Sequence, residues 1–303
     1  MKNYYFKFQK GNAGFDKLFK SNNLYDEALN LSKDGKDIPL SIYYGKWKAN
    51  EFHLGIKNIR IDKGLDENEY SRSIDQIKLF FDLEKLNEVI YFWSFYKDII
   101  ICLKPNSLKV VDGPDSYIDD NGSLPKTIIC KIINVYNKID LPELFSNINS
   151  NQRHNRGTIS ELTVSANEIA VSLMNKSKIL INDSNILSYL SPMEFETLLF
   201  MIFSNDKVLC SSYRGGTLKD YDLRIKVTKN YNGIPEGNHW IQVKMKDKIK
   251  RNNDIYSAFL GEGNIEDRII DSVWIKNRIN ENPVIKRWLK EMIYDYKNIF
   301  ELS

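Results

Sequence analysis

Two segments in the second half of the chain alternate apolar and polar residues, the first of them strictly, and this pattern limits the possible folds more than any other feature. Tyr221, Leu223, Ile225 and Val227 fall on one parity, and Asp222, Arg224 and Lys226 on the other. A little further on, Ile241, Val243, Met245 and Ile249 share one parity, while Gln242, Lys244, Lys246, Lys248 and Lys250 share the other. Side chains of an extended strand point alternately to opposite faces. The spacing therefore predicts two strands, Asp220–Val227 and His239–Ile249. If they pair, Asp222, Gln242 and Lys244 lie on one polar surface. The lysines beyond continue that surface as a row of like charge, which is costly unless it is solvated or faces an anion. For Lys248 and Lys250 a solvated face is an adequate reading. Asp220 shares the parity of Asp222 but lies nearer the Gly-Gly turn that follows Arg214, so it is the weaker candidate.

Upstream, the segment LSPMEFETLLFMIF opens with a helix-start signal: Ser191 as N-cap, Pro192 at the first helical position and Glu194 three residues after the serine. Glu194 thereby has a structural task, closing a capping box. Glu196 has none. It is either the solvated edge of an amphipathic helix or a carboxylate held for a partner. Phosphodiester hydrolysis needs a divalent ion on oxygen ligands, which lowers the pKa of a bound water and neutralises the scissile phosphate. Glu196, Asp222, the Gln242 side-chain oxygen and the Val243 carbonyl are hard donors suited to Mg²⁺, with Mn²⁺ able to substitute. Lys244 would orient the attacking water and stabilise developing charge.

Taken in order, PMEFE, GGTLKDYDL and IQVK resemble the catalytic core of the PD-(D/E)xK nuclease superfamily, in particular its Mrr-like restriction branch, where glutamine often replaces the second acid. Glu196 then matches the helix glutamate, Asp222 the metal-binding aspartate, and Gln242 and Lys244 the QxK pair. The resemblance covers Leu190 to Lys246. It implies an α/β core with a mixed sheet flanked by helices, and Mg²⁺-dependent cleavage of double-stranded DNA in restriction or phage defence. Arg214, Arg224, Lys226, Lys246, Lys248 and Lys250 would meet DNA phosphates. The long stretch between Asp222 and Gln242, containing KNYNGIPEGN, departs from the pattern and requires an extended hairpin turn.

At 303 residues the chain has room for two cores, and the Asn- and Ser-rich run from Ser146 to Thr158 suggests a boundary, giving domains 1–150 and 151–303. The first half reads as β-rich: strands at His53–Ile61, Glu88–Tyr96, Asp98–Leu103 and Thr127–Tyr136, a helix over Ser71–Leu86, and a loop over Asp112–Leu124. Its order of strands resembles PUA-like DNA readers, with no motif matched residue by residue. It is also dense in aromatics. Tyr43, Trp47, Trp93 and Tyr96 either stack a flipped or modified base or fill a core, and the core reading leads. A sensor of a small nucleotide signal is an alternative, weakened by the lack of a Gly-rich phosphate loop in residues 1–145. Further helices are expected at Glu161–Leu173, Pro192–Phe203, Asp267–Arg278 and Pro283–Tyr296. The apolar spacing of the last two suits a core or a dimer surface, and a homodimer would supply the two sites that double-strand cleavage needs. A net charge of +3 does not mark a nucleic-acid binder. Cys102, Cys130 and Cys210 are scattered and the histidines isolated, which argues against zinc and fits a cytoplasmic protein. No signal peptide or membrane-spanning run is apparent.

Overall fold

In the computed structural model the described residues are 1–8, 14–119, 121–148, 158–206, 208–212, 221–245 and 255–302. The fold is mixed α/β. The chain divides into two compact units, residues 1–142 with 148–170, and residues 143–147 with 171–303. It thus crosses between the units more than once, rather than at a single cut near residue 150.

Strands β1 (Lys2–Phe6), β2 (Asp37–Tyr43), β3 (Ile90–Tyr96), β4 (Ile99–Pro105), β5 (Val111–Asp112), β6 (Pro125–Asn137) and β7 (Ile159–Glu161) form the sheet of the first unit. Their order is β2-β6-β4-β3-β1-β7, with β5 on β6. β3 and β4 are an antiparallel hairpin, turning at Lys97 with a left-handed φ of 46°. β7 pairs with β1, which is why residues beyond the Asn-rich run belong to the first unit. Phe6, Phe80, Phe92, Ile101 and Leu103 are fully buried at its centre.

One expected strand is wrong. His53–Ile61 lies within the helix Phe52–Lys63, closed by Gly64 at a left-handed φ of 62°. Leu54, Ile56, Ile59 and Ile61 suit either period, but Phe52, Ile56 and Ile59 pack on the core while Leu54 and Ile61 are exposed. The helical face, at three- and four-residue spacing, is the one that meets the core.

The second unit holds β8 (Ile179–Ile181), β9 (Leu209–Ser212), β10 (Leu223–Val227), β11 (Gly237–Lys244), β12 (Tyr256–Phe259), β13 (Ile269–Ile270) and β14 (Phe300–Leu302). Five of them form a mixed sheet in the order β13-β12-β11-β10-β9. β9, β10 and β11 run antiparallel to one another, and β11, β12 and β13 run parallel. β8 and β14 pair separately. The helix Pro192–Asn205 packs on β9, β10 and β11 and buries Phe195, Leu198, Leu199, Ile202 and Phe203. Helices Ser272–Glu281 and Pro283–Tyr294 follow. The long β10–β11 connection turns at Asn232 and Gly233, with φ of 50° and 91°, between the bridged pair Tyr231 and Ile234. Asn-Gly is the dipeptide that tolerates two successive positive φ values. Among the described residues no helix is long and apolar enough to cross a membrane.

Candidate active site

β10 alternates as its sequence predicts: Leu223, Ile225 and Val227 are buried, Arg224 and Lys226 exposed. Leu223 lies opposite Ile241, and Arg224 opposite Trp240. The paired register ends at Leu223, and its next step would set Asp222 opposite Gln242. The strand bends there. The Asp222 N–H donates to the Ile241 carbonyl at 2.8 Å, and its Oδ2 accepts from the Val243 N–H at 2.6 Å. A carboxylate that accepts from a backbone amide makes a charge-assisted bond and is held in place by it. In an extended strand the N–H and C=O of one residue point to the same side. The Val243 carbonyl therefore faces the β10 side too, next to the Asp222 carboxylate.

Gln242 and Lys244 occupy the polar parity of β11 and are half-buried. They are half-buried because β11 is the middle strand of the sheet, with β12 on its far side. Gln242 lies opposite Ser257, and Lys244 opposite Phe259, both buried. Lys244 and Asp222 are diagonal cross-strand neighbours, a relation that places side chains roughly 7–8 Å apart. Among the described residues no ion pair joins them, and Lys244 has no hydrogen-bond or ion-pair partner.

The helix start is as expected. Ser191 is the N-cap, accepting from the Glu194 N–H at 3.1 Å, while Glu194 Oε2 accepts from the Ser191 N–H at 2.6 Å. The Ser191 hydroxyl also donates to Glu143 at 2.9 Å. Burial, and then the nearby Glu143 carboxylate, hold the Glu194 carboxyl above its ordinary range, against the lowering effect of the Ser191 bonds. Glu196, half-buried, belongs to this helix and not to the strands that join Asp222, Gln242, Val243 and Lys244.

Two residues of this surface were missed. Trp240 shares the parity of Gln242, its ring centroid 4.1 Å from that of Tyr221 and 5.0 Å from the Arg224 guanidinium. Tyr221 was expected on the apolar parity with Leu223, but the bend at Asp222 breaks the alternation and turns its ring onto Trp240. The parity rule alone identifies Trp240, whereas Tyr221 requires knowledge of the bend. Arg214, Asp220, Lys246, Lys248 and Lys250 lie outside the described residues.

The aromatics singled out in the first unit are core. Trp93 is fully buried and donates its Nε1–H to Asn3 at 2.9 Å. Tyr96 is buried and bonded to Asp16. Tyr43 packs on the core, and Trp47 is 6% exposed. The burial of these three rings accords with the core reading of the aromatics. Trp47 covers the buried Lys126, whose ammonium is 3.9 Å from the ring centroid and donates to the Gly45 and Leu124 carbonyls at 2.8 and 2.9 Å. Burial lowers the Lys126 pKa to about 8, against the opposing pull of Asp112, Asp119 and Glu51.

No protein-family model, curated protein or solved structure matches the chain.

Proposed function

We propose that the second unit is a Mg²⁺-dependent DNA endonuclease with its centre at Asp222, Gln242, Val243 and Lys244. The observation that carries this reading is the Asp222 carboxylate fixed on the Val243 N–H, with Gln242 and Lys244 on the polar parity of β11 and the Lys244 ammonium without a hydrogen-bond or ion-pair partner among the described residues. The donor chemistry fits a hard divalent cation: the second Asp222 oxygen, the Val243 carbonyl and the Gln242 amide oxygen are all hard oxygen donors, and no soft ligand is among them. No three His, Cys, Asp or Glu residues cluster in a metal-holding group among the described residues. The proposed set needs only two acids, Asp222 and Glu196. The participation of Glu196 rests on the resemblance to the PD-(D/E)xK core. When bound, the ion would supply an activated water and charge neutralisation at the phosphate.

The chain's own residues contribute positioning and charge. The bond from the Val243 N–H fixes the Asp222 rotamer before any substrate arrives, so no reorganisation is needed when charge develops. Lys244, whose ammonium carries three donors, stabilises negative charge on the phosphate oxygens and orients the attacking water. Arg224 and Lys226, exposed on β10, meet flanking phosphates and contribute salt-dependent affinity without sequence information. The first unit then serves as the recognition module of a restriction or defence enzyme, which acts on both strands as a homodimer.

Purified protein should nick or linearise plasmid DNA in Mg²⁺ or Mn²⁺ and lose this activity in excess EDTA. The Asp222→Asn variant retains an acceptor for the Val243 N–H, so it should fold normally and cleave no faster than background. Undiminished cleavage by the variant, or in EDTA, would overturn the reading.

A further inference from the structure

Away from this sheet, the second unit has a cavity of about 60 Å³ between the turn at Asp183 and the helices Ser272–Glu281 and Pro283–Tyr294. Its rim carries three lysines, Lys276, Lys286 and Lys290, and a single carboxylate, Asp183. Its floor is apolar: Ile186, Ile279 and Leu289 line it and are buried. Positive charge is thus in excess by two around a small opening whose base excludes water. Such a base strengthens any charge interaction above it relative to open solvent.

The lysines are only partly satisfied. Lys276 donates to the Ser184 carbonyl at 3.0 Å. Lys286 lies 3.6 Å from Asp183 and 3.4 Å from the Asn280 side-chain oxygen. Lys290 has no hydrogen-bond or ion-pair partner among the described residues. An ammonium carries three donors, so most of the donors on this rim remain for a ligand. The bonds to Ser184 and Asn280 hold two of the three ammoniums in place. The cavity is far below the roughly 300 Å³ of a pocket that encloses a drug-sized molecule, so it can take a head group and not a whole nucleoside.

We infer that this cavity binds a phosphomonoester group, through Lys276, Lys286 and Lys290. A phosphomonoester carries about −1.5 to −2 charges near neutral pH, matching the excess on the rim, whereas an internal phosphodiester carries half as much. Asp183 opposes the anion and sets a ceiling on its affinity while keeping Lys286 oriented. The monoester can come from a free nucleotide or from the 5′ end of a polynucleotide, since both present the same group. The site is independent of the proposed nuclease centre and shares no residue with it.

Isothermal titration of the full chain with inorganic phosphate, at ionic strength held constant with chloride, tests this directly. Saturable one-site binding is expected. Lys290→Gln, at an exposed position that should not disturb folding, should weaken it by about tenfold or more, the scale of one charge-assisted contact. Asp183→Asn should leave it unchanged or tighten it. A second pair of titrations identifies the source. Stronger binding of a 5′-phosphorylated oligonucleotide than of its unphosphorylated twin, lost in Lys290→Gln, assigns the site to polynucleotide ends. Binding of a nucleoside monophosphate with no difference between the oligonucleotides assigns it to a small molecule. Absence of saturable phosphate binding, or binding undiminished in Lys290→Gln and in Lys276→Gln, overturns the inference. Because the readout is binding, it stands or falls separately from DNA cleavage.

Discussion

Lys126 and Lys244 make the most instructive comparison in the molecule. Each lies on a strand, one in each unit. Lys126 is fully buried, its ammonium bonded to two backbone carbonyls and covered by Trp47. Lys244 is half-buried beside the Asp222–Val243 bond, with no hydrogen-bond or ion-pair partner among the described residues. A lysine whose donors are directed to backbone carbonyls fastens a fold. A lysine held in position with its donors open is arranged for something outside the chain. Residue type and strand context do not distinguish the two roles; hydrogen-bond satisfaction does.

The first way to break the comparison is to remove the structural lysine. Lys126→Ala leaves the Leu124 carbonyl without its donor, leaves the Gly45 carbonyl with the Leu124 N–H alone, and opens a void beneath Trp47. Denaturant unfolding should show a loss of roughly 2–4 kcal/mol in the first unit. Stability unchanged within error would mean that the ammonium fastens nothing. Titration sharpens the point. Because the Lys126 pKa is lowered to about 8 from the ordinary 10.5, the unfolded chain binds more protons between those values. The stability of the wild type relative to Lys126→Met should therefore rise as pH climbs from 8 to 10.5, and stay flat below 8. A difference falling over that window would contradict the assignment.

A smaller effect belongs to Glu194. Glu194→Ala removes one half of the capping box and should cost about 1 kcal/mol of stability in the second unit. Glu194→Gln preserves the cap. Since burial raises the Glu194 pKa, the wild type should gain stability as pH falls through the carboxylate range, a gain that the Gln variant lacks. Equal pH profiles for the two proteins would remove this account of Glu194. By contrast, Glu196→Ala should abolish cleavage with the fold retained. An active Glu196 variant would show that the helix glutamate has been matched wrongly.

What the sequence could reveal follows from which interactions are local. The alternation of β10 and β11, their pairing and the capping box at Ser191 were all legible, because period and cap are encoded within a few residues. The parallel partners β12 and β13 were not, being short runs whose pairing depends on a distant strand. Nor was the return of Ile159–Glu161 to the sheet of the first unit, which composition cannot specify. Helix Phe52–Lys63 was misread because Leu54, Ile56, Ile59 and Ile61 fit two periods at once, and only the core decides between them. At the candidate site, parity alone grouped Asp222, Gln242 and Lys244. Trp240 was available by the same rule, whereas the bend that brings Tyr221 onto it was not.

The measurement that bears most directly on the central claim is the single-turnover rate of Lys244→Ala at saturating DNA. DNA affinity is measured alongside it in Ca²⁺, which should support binding without turnover. The side chain is only half-buried and has no partner to orphan among the described residues, so folding should change by less than about 1 kcal/mol. DNA affinity should remain nearly intact, while the rate in Mg²⁺ should fall by about 10²-fold or more, as expected for losing one preorganised electrostatic group. A Lys244→Ala protein that cleaves at the wild-type rate would show that this strand does not carry the chemistry.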